Sequence, residues 1–330
     1  MAQTTTSTHS VELQKYFSKE LLSQQVQALR LAEFGKKAPL PTKAGQNSIR
    51  WFKYGNPSSA SVATLTEGTV ITGTRTLSLT NVDATLVHYG QVVQITDELQ
   101  AVEFFNSIEQ ATMTNAQDAA LHADNIIRAE LITGTTKRYS ANGSTASFAG
   151  LQAATAAQGK FIALDALDGV TQLKINRAPT IGGGYVAVAP PQVTRDLMND
   201  SAWLAAKQYS DVKDLYAGEV GSFHGLRFVE ATNPWSEDET EGTFDDSYTA
   251  SGTNSAGGLI YATFMLGGEA FGVPELNGES PYSPKVYITD GADKADPLNQ
   301  LTNVGFKTWW AAKILNNSYF VVHRSKSAFA

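Results

Sequence analysis

The hydrophobic positions of this chain follow a helical period most clearly between residues 97 and 131. Apolar or small residues recur there at spacings of three and four, and neither proline nor glycine interrupts them. Asp97 and Glu98 suit the positive end of a helix, and Gly134 suits its termination. The pattern predicts one unbroken helix about 50 Å long, which is longer than a small domain is wide.

The segment before this helix alternates between polar and apolar positions with the period of two that strands have. Residues 69–79 and 85–96 are rich in strand-favouring residues, and Asn81-Val82-Asp83 between them has the chemistry of a turn. This predicts a hairpin. Both of its faces are partly polar and a two-stranded hairpin is marginal alone, so we expect it to pack on its own body or on a neighbouring subunit.

The first 60 residues are mainly polar and contain one short stretch with a helical period, which Pro39 and Pro41 break off. The segment has too few apolar residues for a core of its own. We therefore expect an arm that becomes ordered only on other parts of an assembly. The apolar positions of its one helical stretch are Phe17, Leu21, Leu22, Val26 and Leu29.

The rest of the chain mixes strand and helix patterns. Apolar runs predict strands at 185–189, 225–230, 259–264 and 271–273, with two more strands within 304–322. Alternation of strands and helices indicates a mixed α/β lobe, so the fold class predicted for the whole chain is α+β.

Two helices are predicted within this lobe. The first spans 169–178 and turns Val170, Leu173 and Ile175 inward. The second starts at the adjacent prolines 190 and 191, which suit a first helical turn, and runs through residue 209.

Residues 236–257 form an acidic insertion that is also rich in glycine, serine and threonine. We expect a solvated loop, because the spacing of its carboxylates fits no cation-binding loop; a Ca²⁺ loop or a docking surface is the functional alternative. Its acidic residues are Glu237, Asp238, Glu239, Glu241, Asp245 and Asp246.

Composition narrows the function. The 330 residues contain no cysteine, which excludes disulfides, thiolate metal sites and thiol nucleophiles. The formal net charge of −7 argues against a nucleic-acid reader with a basic surface. The chain has no apolar run of membrane-spanning length and no apolar signal region at its start.

No constellation of residues predicts catalysis, a cofactor site or a metal site. The five histidines are scattered, and neither a metalloprotease motif nor a nucleophile elbow is present. The glycines at 182–184 precede a strand instead of opening a helix, unlike a phosphate-binding loop. Asp290, Asp293 and Asp296 lie close together, and turn chemistry explains them more simply than a cation site.

Several motifs follow one another along the chain: LTEG before the predicted hairpin, ITDEL at the start of the long helix, GLRFVEA, GGEAFG and DPLNQLTNVGFKTWWAAKILN. Taken in this order, they resemble the major capsid proteins of tailed phages of the N-four type. The resemblance runs from about residue 60 to residue 325, and neither the arm before residue 50 nor the acidic insertion shares it.

The resemblance implies the Hong Kong 97-like shell fold. Carried onto this chain, it implies an N-terminal arm at 1–62 and an extended hairpin loop at 63–96. A peripheral domain with a spine helix would comprise 97–159 and 286–330, and an axial domain would comprise 160–285. Residues 304–315 would return to the peripheral domain as a long strand.

The function implied is that of a non-enzymatic major capsid protein, which self-assembles as hexamers and pentamers into an icosahedral shell enclosing phage DNA. It would need no cofactor and no membrane, would bind DNA without sequence specificity, and would act in the virion after assembly in the host cytoplasm. Separate scaffolding, portal and decoration proteins would be its other partners. The contacts between subunits are predicted at Thr72, Arg75, Leu77, Leu79, Val87 and Tyr89.

Three alternatives stay open on the sequence. An encapsulin-like shell protein of a cellular compartment would share the fold. A surface adhesin would explain the Thr, Ser and Gly content, although no export signal is present. An enzyme with a metal site at Asp290, Asp293 and Asp296 would require an activity that chelators remove.

Overall fold

The architecture was analysed in a computed structural model of the chain. The structure describes residues 31–40, 47–54, 62, 64, 66–68, 78–102, 107–140, 147–208, 219–233, 235–237, 241–244, 259–275, 284–289, 291 and 296–329. Within these residues, no helix combines the length and the apolar character needed to cross a membrane.

Six α-helices and fifteen strands make up the described part of the fold. The helices are α1 (Asp97–Val102), α2 (Ser107–Leu131), α3 (Phe148–Ala153), α4 (Ala163–Ile175), α5 (Pro191–Met198) and α6 (Ser201–Gln208). The strands are β1 (Lys36–Pro39), β2 (Ser48–Tyr54), β3 (Leu79–Thr85), β4 (Val87–Thr96), β5 (Lys137–Tyr139), β6 (Tyr185–Ala189), β7 (Glu219–Phe223), β8 (Leu226–Glu230), β9 (Trp235–Glu237), β10 (Ile260–Leu266), β11 (Phe271–Glu275), β12 (Lys285–Thr289), β13 (Leu301–Trp310), β14 (Lys313–Ile314) and β15 (Phe320–Lys326).

A seven-stranded mixed sheet forms the centre of the molecule. Its strands lie in the order β5-β15-β10-β6-β8-β7, and β9 pairs with β10 beside β6. The C-terminal half of α2 covers one face through Ile127 and Leu131. Helices α4, α5 and α6 cover the other face. Because both faces are covered, β6 and β10 are buried along their whole length, as their apolar sequences require.

Helix α4 lies very close to this sheet. A Cβ atom at Gly169 would overlap the sulfur of Met265 on β10, so only glycine permits the observed approach. The helix predicted at 169–178 is present, although it starts six residues earlier than predicted. The inward orientation predicted for Ile175 is wrong, because its side chain is 69% exposed.

A second layer joins α2 to a three-stranded antiparallel sheet in the order β12-β13-β4. Val304 and Phe306 of β13 are buried in small apolar clusters that also contain alanines of α2. The Asn115 side-chain amide of α2 donates to the Val304 carbonyl at 3.0 Å. The long strand predicted at 304–315 is thus present up to Trp310 and lies along the long helix, whereas Lys313 and Ile314 form β14 in another sheet.

The long helix is described in two segments, α1 and α2. Residues 103–106 between them lie outside the described residues, so the continuity of the helix stays a prediction. The predicted helix through residue 209 is instead two helices. The chain turns at Asp200, whose carboxylate accepts the Ala163 amide of α4 at 2.7 Å and whose carbonyl accepts the Leu204 amide at 3.0 Å.

Part of the predicted arm belongs to the folded body, contrary to expectation. Strand β1 pairs in parallel with β11, and β2 pairs with β3. Leu31, Ile49 and Trp51 are buried. The prediction failed because these apolar residues join a core supplied by distant segments, which local composition does not reveal. The amphipathic stretch at 17–29 lies outside the described residues.

The predicted hairpin between 69–79 and 85–96 is also wrong. Strand β3 runs through Asn81-Val82-Asp83 and pairs with β2, while β4 pairs with β13 in another sheet. The chain changes sheets at Leu86, which is buried and donates its amide to the Asn47 carbonyl at 2.6 Å. Strands β2 and β3, which form a two-stranded ribbon, therefore flank residues 55–78.

The boundaries of the predicted domains stay predictions, but the sheet crosses one of them. Strand β15, which the boundary at 285 and 286 places in the peripheral domain, pairs along seven residues with β10 of the predicted axial domain.

Substitution of Trp51 tests whether β2 belongs to the folded body. We predict that Trp51→Ala lowers the free energy of unfolding by about 3–5 kcal/mol, because it empties a buried aromatic site. The neighbouring Phe52→Ala, at a side chain that is 61% exposed, should change it by less than about 0.5 kcal/mol. Urea unfolding followed by tryptophan-independent circular dichroism measures both, and equal losses would contradict the assignment.

Candidate assembly surfaces

The ribbon of β2 and β3 has one buried face and one exposed face. Ile49 and Trp51 alternate with Arg50, Phe52 and Tyr54 along β2, so the first two point to the core and the other three point away from it. Their cross-strand partners on the exposed face are Asp83, Asn81 and Leu79.

The exposed face of the ribbon ends in large apolar side chains. Phe52, Tyr54 and Leu79 are 61%, 65% and 53% exposed, and Tyr54 lies directly opposite Leu79. We call these three residues the ribbon end. An apolar cluster on a two-stranded ribbon has no core of its own to enter, which is typical of a surface that another molecule covers.

An ion pair lies on the same face, next to the ribbon end. Arg50 Nε and Nη2 donate to the two carboxylate oxygens of Asp83 at 2.6 and 2.8 Å. These hydrogen bonds, together with the positive charge of Arg50, hold the pKa of Asp83 below its usual range. The pair explains how an aspartate predicted to form a turn is accommodated in a strand.

The predicted contact residues do not form one surface. Leu79 belongs to the ribbon end, whereas Val87 and Tyr89 lie on the side of β4 that faces α2. Val87 is 47% exposed, and Tyr89 packs edge-on against His122 with the ring centroids 4.4 Å apart. Thr72, Arg75 and Leu77 lie outside the described residues.

Phe52 and Tyr54 were missed by the sequence analysis. The alternation in SIRWFKY is a strand signal of the kind used for the hairpin, but the segment was grouped with a polar arm.

The acidic insertion is not solvated at its start. Glu237 lies on β9 and is fully buried, with Arg324 Nε and Nη2 donating to its carboxylate at 2.9 and 3.1 Å. The Trp235 indole also donates to it at 2.8 Å. A solvated loop was predicted because sequence does not reveal a buried cation 87 positions away. Asp238, Glu239, Asp245 and Asp246 lie outside the described residues.

Glu241 extends this network to the edge of the sheet. It accepts from the Tyr139 hydroxyl at 2.9 Å and pairs with Lys137 at 2.7 Å and with Arg324 at 3.4 Å. Burial alone would raise the pKa of Glu241, but these donors outweigh it and lower the pKa. Glu237 and Glu241 of the insertion are thus held on β15 and β5.

A second polar network lies beneath α4. The Ser140 hydroxyl donates to Asp165 at 2.6 Å, and His323 Nε2 lies 3.6 Å from the other carboxylate oxygen. Burial would raise the pKa of Asp165, but His323, Ser140 and the Ile162 amide together lower it. All three side chains are buried, so a reactant in solvent has no access to them.

The described residues of the remaining candidate chemical sites, Gly182, Gly183 and Asp296, have structural roles. Gly182 and Gly183 both have positive φ and form the tight turn between Ile181 and Gly184, which leads into β6. Asp296 accepts the Leu301 amide at 2.8 Å, while Asp290 and Asp293 lie outside the described residues. In the part of the chain that the structure describes, no group of three or more His, Asp or Glu side chains is placed to hold a metal ion.

Comparison with known families decides the identity. The profile of a family described as phage capsid protein matches residues 57–310, which is most of the chain. This chain belongs to the phage capsid protein family. The membership supports a capsid protein of a phage shell over the compartment and adhesin alternatives. A comparison with curated protein sequences found no significant match.

Solved structures confirm the Hong Kong 97-like shell fold. The capsid protein in the asymmetric unit of Cyanophage Pam1 has a TM-score of 0.63 at 17% identity, covering 91% of this chain and 93% of that one. The capsid of Ralstonia phage GP4 has a TM-score of 0.62 at 11% identity, covering 89% and 87%. The capsid of Cyanophage P-SCSP1u has a TM-score of 0.60 at 14% identity, covering 89% and 90%.

The buried ion pair of the capsid protein gives a stability prediction. Arg324→Met leaves Glu237 charged and uncompensated in the core, so we expect the free energy of unfolding to fall by about 3–5 kcal/mol. The double variant Arg324→Met, Glu237→Leu should recover most of that loss, because no isolated charge remains. Arg50→Met, which breaks an exposed pair, serves as the control and should have little effect. Denaturant unfolding measures all three, and a double variant as unstable as the single one would contradict the interpretation.

Tyr139 gives a prediction for alkaline pH. Burial raises its pKa to about 12 from the ordinary 10.0, and the hydrogen bond to Glu241 adds to the rise. The folded capsid protein therefore holds this proton more tightly than the unfolded chain. The contribution of the protonated Tyr139 hydroxyl to stability should be complete below pH 10 and should disappear as the pH rises towards 12. Tyr139→Phe should flatten the fall in melting temperature across this window, and an unchanged slope would count against the prediction.

Proposed function

We propose that copies of this capsid protein associate as hexamers and pentamers into a closed icosahedral shell that encloses phage DNA. The observation that carries the proposal is the ribbon end, a set of large apolar side chains that the folded body leaves exposed. We infer that it lies on a neighbouring subunit in the shell. Identical subunits joined by such non-reciprocal contacts close into rings, and many weak contacts per subunit stabilise the closed shell.

The electrostatic character of the chain supports a container and not a DNA-binding protein. With a formal net charge of −7, the chain as a whole repels the phosphate backbone. We therefore propose that DNA is enclosed without sequence-specific binding. The chemistry is that of a structural protein, because the acid, base and histidine groups of the described core lie in buried ion-pair and hydrogen-bond networks.

The contacts predicted from the sequence enter this proposal in part. Leu79 is a member of the ribbon end, and we propose Val87 and Tyr89 as contacts on β4, together with Thr72, Arg75 and Leu77. Residues 1–30 would become ordered on the assembled shell. Assembly would take place in the host cytoplasm, with separate scaffolding, portal and decoration proteins as partners.

Removal of the ribbon end tests the proposal. We predict that Phe52→Ser, Tyr54→Ser and Leu79→Ser together abolish shell formation and leave the melting temperature of the isolated subunit nearly unchanged, because all three side chains are exposed. Light scattering and size-exclusion chromatography report assembly, and calorimetry reports the fold.

A conservative variant provides the matched control. Phe52→Tyr with Tyr54→Phe keeps the apolar area of the ribbon end and should assemble like the parent protein. Normal shells from the triple serine variant would contradict the proposed role of the ribbon end. Loss of assembly in both variants would point to a general disturbance of the ribbon and would also count against that role.

A further inference from the structure

The sheet of β4, β12 and β13 carries two lysines that face each other. Lys285 lies directly opposite Lys307 in the antiparallel register, on the side of the sheet away from α2. Like charges at directly opposed positions destabilise a strand pair. Within the described residues, neither ammonium group has a carboxylate at ion-pair distance. The Lys307 ammonium instead lies over the Tyr287 ring, 4.7 Å from its centroid.

Apolar surface surrounds these lysines. Tyr287 is 39% exposed on the same side of the sheet, and Val92 of the neighbouring strand β4 is 60% exposed. Val92 lies opposite Gly305, so no β13 side chain covers it. We call Lys285, Lys307, Tyr287 and Val92 the cationic face. Two ammonium groups that lack an ion-pair partner among the described residues lie beside exposed apolar groups, which fits a surface that binds an acidic and partly apolar partner.

Helix α1 has the complementary character. It buries none of its side chains. Asp97 and Glu98 begin it, and Leu99 and Val102 follow on one side at 51% and 81% exposure. We call these four residues the acidic end.

Another exposed apolar side chain lies beside the acidic end. The Asp97 amide donates to the Gln300 carbonyl at 3.0 Å, which places α1 next to the turn that carries Leu298. Leu298 is 78% exposed. Helix α1 therefore stands at the edge of an acidic and strongly apolar region.

The two surfaces are too far apart to meet within one chain. The acidic end follows Thr96, which pairs with Leu301 at the start of β13, and Lys307 lies six positions further along that strand. At the rise of an extended strand this separation is about 20 Å. Among the described residues, the complement of each surface is therefore supplied by a second copy.

We propose that the acidic end of one subunit docks on the cationic face of the next subunit in the shell. The contact is non-reciprocal, because each copy offers one surface to each of two neighbours, and such contacts build rings. Glu98 and Asp97 would neutralise Lys285 and Lys307, while Leu99 and Val102 would cover Val92 and Tyr287. This proposal rests on the proposed shell function and assigns one of its contacts.

Disulfide trapping tests the contact directly, because the chain contains no native cysteine. The double variant Glu98→Cys, Lys307→Cys, assembled and then mildly oxidised, should give a ladder of linked dimers, trimers and larger species on a non-reducing gel. Either single variant alone should stay monomeric on the same gel, since a non-reciprocal contact never brings two copies of one position together. The pair Glu98→Cys, Lys174→Cys, with the second cysteine on the exposed side of α4, is the matched control.

Charge reversal gives a second, independent readout. Lys307→Glu places a carboxylate opposite Lys285, so the melting temperature of the isolated subunit should hold or rise while assembly is lost. Adding Glu98→Lys to the same chain should restore assembly. A destabilised Lys307→Glu subunit would show that the lysine pair is structural and would overturn the proposal.

The outcomes separate this proposal from the proposed function. If the parent protein forms shells and the double cysteine variant forms shells without a ladder, the docking proposal fails and the shell function stands. If both cysteine pairs give ladders of equal intensity, the linkage is unspecific and the docking proposal fails. If the parent protein stays monomeric with crowding agents, across concentrations and together with a scaffolding protein, the proposed function fails and the docking proposal fails with it.

Discussion

The fold depends on the pairing between β10 and β15. Seven consecutive residue pairs join 260–266 to 320–326, and every residue of both strands is buried. Strand β15 also holds β5 in parallel, and its Lys326 ammonium donates to the carbonyls of Gln152 and Ala154 at the end of α3. The pairing of β10 with β15 therefore joins elements from the middle and the end of the chain in one sheet.

Strand β15 is unusually polar for a strand that is buried along its whole length. His323, Arg324, Ser325 and Lys326 are consecutive and nearly inaccessible to solvent. Burying such groups is unfavourable unless each is hydrogen-bonded or paired, and Arg324 with Glu237 and Lys326 with two carbonyls meet that requirement. These pairings tie the start of the acidic insertion to the core. The centre of the subunit is thereby a fixed body from which the ribbon end and helix α1 are exposed.

Several elements were predicted correctly from short-range sequence patterns. The apolar run at 185–189 became β6, the long strand near 304 became β13, and the helical period at 107–131 became α2. Each has a local cause, because an apolar run or a period of 3.6 is visible within ten to twenty residues. The resemblance to tailed-phage capsid proteins then identified the fold that joins them.

Short-range patterns did not predict which strands pair with each other. Strand β3 pairs with β2 and not with β4, and the turn chemistry of Asn81 and Asp83 gives way to the cross-strand pair with Arg50. Glu237 appeared to belong to an exposed acidic loop until its partner on β15 was known. Phe52 and Tyr54 were overlooked because the strand alternation around them was grouped with a polar arm, and the local pattern does not show that β3 is its partner. Contacts over such separations depend on the whole fold.

The central claim is that the surfaces left exposed by this body are covered by neighbouring subunits in a closed shell. The most direct measurement is a cryo-electron microscopy map of the assembled, purified protein. The account predicts closed shells in which Phe52, Tyr54 and Leu79 lie against a second copy. Shells in which these side chains face solvent would contradict it, and so would a protein that remains a monomer under all assembly conditions.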